Sequence, residues 1–160
     1  MPGDFLLQQQ LRFRWQGGEG SLDAAVQSAC GELTIVLLTP MGTRGVTIRQ
    51  RGWDVAIEGR TSDLPFAPER ILLDVQRTYL APPANPPRVG TVERRIGEQR
   101  IEETFADGRL TERVFQPTRE GDDRVRIRYG LETASLESER YGYRLDVTTL
   151  ARQPVACGVR

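Results

Sequence analysis

Apolar and polar residues alternate along most of the chain, the rhythm of strands with one buried face. Leu11, Phe13 and Trp15 share one side, with Gln10, Arg12 and Arg14 on the other. The run Gly17-Gly18-Glu19-Gly20 reads as a turn. Leu22, Ala24, Val26, Ser28 and Cys30 then form a face of small side chains, broken by Gly31. Leu33, Ile35 and Leu37 follow. Val36 and Leu38 are apolar too, so this strand is expected to be buried on both sides. After the turn at Pro40-Met41-Gly42-Thr43, Val46 and Ile48 resume the alternation. Arg51-Gly52 turns again, and Trp53, Val55 and Ile57 alternate with Asp54, Ala56 and Glu58.

The period then changes. Between Pro68 and Leu80 the apolar positions Ile71, Leu72, Val75 and Tyr79 form the stripe of an amphipathic helix. Pro68 suits the first helical position and Glu69 the positive end of the helix dipole. Prolines 82, 83, 86 and 87 end the helix and make residues 81–88 a stiff connector. Strands return over 89–96, 100–105 and 110–115, with Asp107-Gly108 as a hairpin turn. Val125, Ile127 and Tyr129 alternate with arginines, as do Tyr143, Leu145 and Val147 with Arg144 and Asp146. The expected fold is mainly β: about ten short strands in one antiparallel sheet, strongly curved or an unclosed barrel, covered by one or more helices. The 160 residues suit a single domain, with strands within 5–58, a helix over 68–80, the connector and strands within 89–149.

Composition narrows the chemistry. The chain has no His, and all 22 of its basic residues are Arg, balanced by 22 acidic residues. That removes Ser-His-Asp and Cys-His catalysis, imidazole-ligated zinc, Schiff-base lysines and a P-loop lysine. Zero net charge argues against a phosphate-binding surface, so no nucleic acid is expected as a partner. Arg126, Arg128, Tyr129, Tyr141 and Tyr143 mix basic and aromatic residues, yet alternation turns the aromatics inward. No cofactor and no metal site are implied. No run approaches the ~18 apolar residues of a membrane helix. The opening Met1-Pro2-Gly3-Asp4 has no basic region, and Phe5-Leu6-Leu7 is too short for a signal core.

Glu93, Arg94, Arg95, Arg100, Glu102, Glu103, Arg109, Glu112 and Arg113 read as outward faces laced by cross-strand ion pairs. Cys30 and Cys157 either form a bond worth roughly 5 kcal/mol at most in the loop-entropy model or stay as two unlinked thiols. The inward set is large for one helix to cover: Leu11, Phe13, Trp15, Leu33, Ile35, Leu37, Val46, Ile48, Trp53, Val55, Ile57, Val125, Ile127, Tyr129, Tyr143, Leu145 and Val147. It leads to two alternatives, an apolar cavity or loops that fill the space. Met41, at the tip of a tight turn, is unable to reach a core and is either incidental or a membrane or partner contact.

The order of these segments resembles LolB-like outer-membrane lipoproteins of the LolA/LolB superfamily, over roughly Leu11 to Thr149. Leu37-Leu38-Thr39-Pro40-Met41-Gly42-Thr43 is similar to that family's Leu-x-Asn-Pro-Leu-Gly-Ser segment. Leu64-Pro65-Phe66 is similar to its Ile-Pro-Leu helix entry. Asp107-Gly108-Arg109-Leu110, Val125 to Gly130, and Tyr143 to Val147 fall where it has a late hairpin and closing strands. The resemblance implies a non-enzymatic protein that binds or transfers lipids, acyl chains or lipoproteins, with a periplasmic carrier as a further partner. The cavity would be lined by the inward residues from Leu11 to Leu145 other than Val125, together with Ile71, Leu72, Val75 and Tyr79 of the helix. Met41 would be the membrane-contact loop. The location would be the periplasmic face of the outer membrane of a Gram-negative bacterium, through an N-terminal lipid anchor that this chain lacks. Relatives found beside aryl polyene biosynthesis genes extend the implied cargo. A periplasmic setting favours a Cys30–Cys157 bond. Two other readings stand beside this one: an interaction module of an envelope assembly machine, and a hydrolase using two inward carboxylates.

Overall fold

The computed structural model describes residues 4–157. Eleven strands form one antiparallel sheet: β1 Phe5–Trp15, β2 Gly18–Ala29, β3 Glu32–Leu38, β4 Arg44–Arg51, β5 Asp54–Gly59, β6 Gly90–Ile96, β7 Gln99–Ala106, β8 Arg109–Gln116, β9 Val125–Tyr129, β10 Thr133–Ser138 and β11 Tyr143–Pro154. Their order is β5-β4-β3-β2-β1-β11-β10-β9-β8-β7-β6. The sheet is not closed: β5 and β6 are its two edges. One α-helix, α1 Pro68–Thr78, is present among the described residues, after a 3-10 turn at Thr61–Asp63. No described helix is long and apolar enough to cross a membrane. The mainly β class matches the alternating pattern. The strand that pattern missed is β10, whose inward positions are Ala134, Leu136 and Ser138, so a single Leu carries its apolar signal.

The described residues group into two compact units. The first takes the chain up to Arg12, Gly20–Leu80 and the residues from Val147; the second takes Phe13–Glu19 and Ala81–Asp146. In the first, register aligns the inner face row by row. Val26 faces Ile35, Ile35 faces Ile48, and Ile48 faces Ile57; one row on, Ala24 faces Leu37, which faces Val46. Ile35, Ile48, Val46 and Leu37 are buried, as are Leu7 and Leu11 of β1. The opposite face of β3 is only half-buried at Thr34, Val36 and Leu38. The expected two-sided burial is therefore corrected: Val36 and Leu38 lie on an outer face with nothing packed fully over it.

Three further expectations change. Cys30 is not in a strand; it sits in a left-handed turn (φ 53°) with Gly31 after β2 ends at Ala29. The helix stops at Thr78 rather than Leu80, with Tyr79 as its cap and the Tyr79 N–H bonded to the Val75 carbonyl. Trp53 is not inward at all. It lies in the Gly52–Trp53 turn with 99% of its surface exposed, and Val55 is 45% exposed. Val55 belongs to the edge strand β5, in which no residue is fully buried, and Trp53 immediately precedes it.

The second unit corrects the charge reading. Ile101, Glu103 and Phe105 alternate onto the buried face of β7, and Glu103 lies opposite Arg113 of β8. Both side chains are fully buried. Arg113 Nε donates to Glu103 Oε1 at 2.8 Å and Nη1 donates to the Tyr129 hydroxyl at 3.1 Å. Arg94 forks onto the same carboxylate, Nε to Oε2 at 2.7 Å and Nη2 to Oε1 at 3.0 Å, and also donates to the Ala81 carbonyl. Arg94, Glu103 and Arg113 were expected on a solvated face. Register puts them inward instead, where two guanidinium groups engage both carboxylate oxygens.

Of the other charges in that set, Glu93 and Arg100 pair at 3.0 Å, and Glu112 joins an outer ladder with residues of the later strands. Glu112 forms ion pairs with Arg126 and Arg128, and Glu137 with Arg128 and Arg144, while Asp146 accepts hydrogen bonds from Arg144 and Arg14. Tyr143 is buried and Tyr129 half-buried, whereas Tyr141 is exposed.

Removing one member of a buried ion pair strands its partner, at a cost of about 3–5 kcal/mol. Glu103→Ala is expected to lower the urea midpoint accordingly. The double variant Glu103→Leu/Arg113→Met is expected to recover a large part of the loss. Equal midpoints for wild type and Glu103→Ala would contradict the assigned burial.

Candidate functional site

The first unit holds the helix and the broad apolar face. Pro68 opens α1, Glu69 lies in its first turn and Arg77 in its last, each favourable to the helix dipole. Ile71 and Leu72 are buried, and Val75 is half-buried. Just past the helix, Tyr79 packs its ring against Phe5 at 5.8 Å, and its hydroxyl accepts a hydrogen bond from the Gln9 amide. Gln9, itself buried on β1, also donates to Thr149 of β11 at 3.2 Å. Burial pushes the Tyr79 phenol above its ordinary pKa, so it stays neutral as a hydrogen-bonding anchor. Gln76 donates to Gln50 of β4, and Gln50 donates to the Gly52 carbonyl at 3.1 Å. Polar contacts therefore border the apolar seat of α1.

The cover ends between β4 and β5. Ile48 is sealed, but its partner on β5, Ile57, is half-buried, and Val55, opposite Gln50, is exposed. The last residue of this strand is Gly59, where a side chain would collide with the Gly45 carbonyl oxygen. The apolar face thus continues past its cover as a strip, Val55 and Ile57, ending at the bare indole of Trp53.

An open cleft of about 390 Å³ adjoins the strip. Its walls are Asp4, Ser28, Gly31, Glu32, Leu33, Gln50 and Gly52. Ser28, Leu33, Gln50 and Val55 form one continuous inner-face row in the register of β2 to β5. Glu32 is held by the Thr34 hydroxyl at 3.2 Å and lies 3.6 Å from Arg51. Sequence reasoning missed this cleft. The available signal was the switch from apolar to polar along the inward positions, Val26 to Ser28 and Ile48 to Gln50.

A Cys30–Cys157 disulfide, with Cα atoms 5.6 Å apart, closes this end of the unit. Asp4 Oδ2 lies 2.9 Å from Cys157 Sγ. Asp4, Cys30 and Cys157 cluster closely enough to suggest a metal site, but bonded sulfurs carry no thiolate to ligate one. At the opposite ends of these strands, Met41 is 90% exposed. Its turn is fixed by Thr39 N to Thr43 O and Gly42 N to Thr39 O, both 2.8 Å, and by a contact between the two threonine hydroxyls at 2.7 Å.

Among the other expected lining residues, Leu33, Ile127, Tyr143 and Leu145 are buried, as is Phe13, while Trp15 is half-buried. Phe13, Trp15, Ile127, Tyr129, Tyr143 and Leu145 belong to the second unit.

The disulfide closes a span of 127 residues, worth up to roughly 5 kcal/mol through unfolded-chain entropy. Cys157→Ser is expected to lower Tm, and a reductant is expected to lower the wild type to the same value. A reductant-insensitive wild type would show that the bond is absent.

No curated protein matches the sequence. Among solved structures, a domain from Vibrio parahaemolyticus described as that of an outer membrane lipoprotein-sorting protein is similar at 10% identity and a TM-score of 0.49, covering 94% of this chain and 85% of that one. That degree of likeness carries no functional argument by itself. A sequence family described as proteins of unknown function matches residues 6–151, nearly the whole chain, and the protein belongs to this DUF3261 family.

Proposed function

We propose that this protein is a non-enzymatic binding protein of the bacterial envelope, taking up the acyl chain of a lipid or lipoprotein along the uncovered margin of its apolar sheet face. The observation that carries the reading is that margin. Val55 and Ile57 extend a sealed apolar face beyond its helix and stand open beside a cleft. Each methylene laid on such a surface gains on the order of 0.8 kcal/mol when fully buried, so affinity here needs no catalytic group. Entry of a chain under α1 would separate polar contacts such as Gln76–Gln50, which water replaces at small net cost.

The disulfide fits an oxidising compartment. The resemblance to LolB-like lipoproteins is what suggests the periplasmic face of the outer membrane, an N-terminal lipid anchor, and lipoproteins, a periplasmic carrier or aryl-polyene lipids as finer choices of partner, all of which are part of this proposal. In this reading Met41, on its braced turn, is the group that touches the bilayer when cargo is handed over.

Displacement of an environment-sensitive fluorophore by an acyl probe tests the binding step. Val55 is exposed, so Val55→Glu is expected to fold normally while weakening probe binding by about tenfold or more, since the strip would carry a charge against hydrocarbon. Unchanged binding would remove the strip from the site. Met41→Glu is expected to bind the probe as the wild type does yet release it several-fold more slowly into phospholipid vesicles. Equal transfer rates would end the proposed role of Met41.

A further inference from the structure

The open edge of β5 is complementary to itself. Beyond the acyl-binding reading, and independent of it, we infer that this edge pairs with the same edge of a second copy of the chain, antiparallel and centred on Ile57. The backbone gives the first support. The Arg60 N–H donates to the Gly45 carbonyl at 3.3 Å, and the ladder continues with Val46 opposite Gly59. In an antiparallel strand the backbone groups of successive residues point to opposite sides. Arg60, Glu58, Ala56 and Asp54 therefore direct theirs at β4, and Gly59, Ile57 and Val55 turn theirs to the open side. β5 ends the sheet, and all its residues are exposed apart from the half-buried Ile57. Backbone groups on an exposed, proline-free edge are a template for another strand.

Charge selects which strand. Asp54 and Arg60 are exposed at opposite ends of β5, on its outer face, and neither has an ion-pair partner among the described residues. Glu58, by contrast, is held by Arg49 at 3.2 Å. A strand that is negative at its start and positive just past its end matches an antiparallel copy of itself. Centred on Ile57, the pairing sets Asp54 against Arg60 at both ends and Ala56 against Glu58. Val55 meets Gly59, which has no side chain to crowd it, and Ile57 meets Ile57 at the two-fold axis. The open backbone groups fall into step as well: Ile57 exchanges hydrogen bonds with its counterpart, and Val55 with Gly59 on either side. Centring on Ala56 would instead oppose Asp54 to Glu58 at both ends, like charge against like. Centring on Val55 would run the overlap into the Gly52–Trp53 turn and leave Asp54 and Arg60 unmatched. The side chains of Val55 and Ile57 project from the inner face, so pairing along the edge leaves the apolar strip open and joins it to its copy.

Sedimentation velocity over a concentration series tests the pairing. A short edge contact is a small interface, so the wild type is expected to be monomeric near ~10 µM and increasingly dimeric toward ~1 mM. Asp54→Arg and Arg60→Asp change exposed side chains, and thermal melting checks that each folds as the wild type does. Each is expected to weaken self-association about tenfold or more, by setting like charges opposite. Mixed together, the two single variants are expected to associate again, because one edge is then positive at both ends and the other negative at both. The double variant Asp54→Arg/Arg60→Asp is expected to regain wild-type association alone. A wild type that stays monomeric up to ~1 mM would overturn the inference. Single variants that dimerise as the wild type does, or a mixture that stays monomeric, would overturn it too.

Discussion

A sheet with one apolar face must bury that face, and among the described residues of the first unit the only α-helical cover is an eleven-residue helix. The six strands of that unit span roughly 24 Å at about 4.8 Å per strand, whereas a helix with its side chains is about 10–12 Å across. The mismatch decides what is sealed. Residues on β1 to β4 reach near-zero exposure, and β5, at the edge, does not. Trp53, Val55 and Ile57 are apolar where an edge strand would ordinarily carry charge or proline for protection. An apolar margin kept on an edge is costly for solubility, and a ligand-binding role gives it a reason.

The second unit solves burial differently. Its inner face includes a fully buried Glu103 bracketed by Arg113 and Arg94. Such a cluster is weak as a source of stability relative to apolar packing, but it fixes geometry. Glu103 can satisfy both arginines only if β6, β7 and β8 hold their register, and Arg94 in turn fastens the start of the proline connector at Ala81. The inward carboxylate is thereby committed to structure, with both oxygens engaged.

Much of the fold was legible in the sequence because period-two alternation is a local property. β3, β4 and β7 to β9 announce themselves, and Pro68 with the Ile71–Leu72–Val75 stripe announces α1. What was not legible depended on partners distant in the chain. Glu103 between Ile101 and Phe105 shares their parity, yet only the facing Arg113 makes an inward carboxylate tolerable. Ser28 and Gln50 look like ordinary strand residues until register aligns them with Leu33 and Val55 into a cleft wall. Trp53 has the right parity for a core and the wrong place, since exposure of an edge depends on where the helix stops. Cys30 and Cys157 gave no local sign of pairing, because the left-handed turn that presents Cys30 is a consequence of the β2–β3 hairpin.

The central claim is that hydrocarbon lies on the open margin of β5. Methyl-resolved NMR of the wild-type protein, titrated with a dodecyl amphiphile, tests it most directly. The account predicts shift changes concentrated at the methyl groups of Val55 and Ile57, with Leu33 following at the cleft wall and Ile101 and Ile127 of the second unit unchanged. Changes confined to the second unit, or saturating binding that leaves Val55 and Ile57 unmoved, would contradict it.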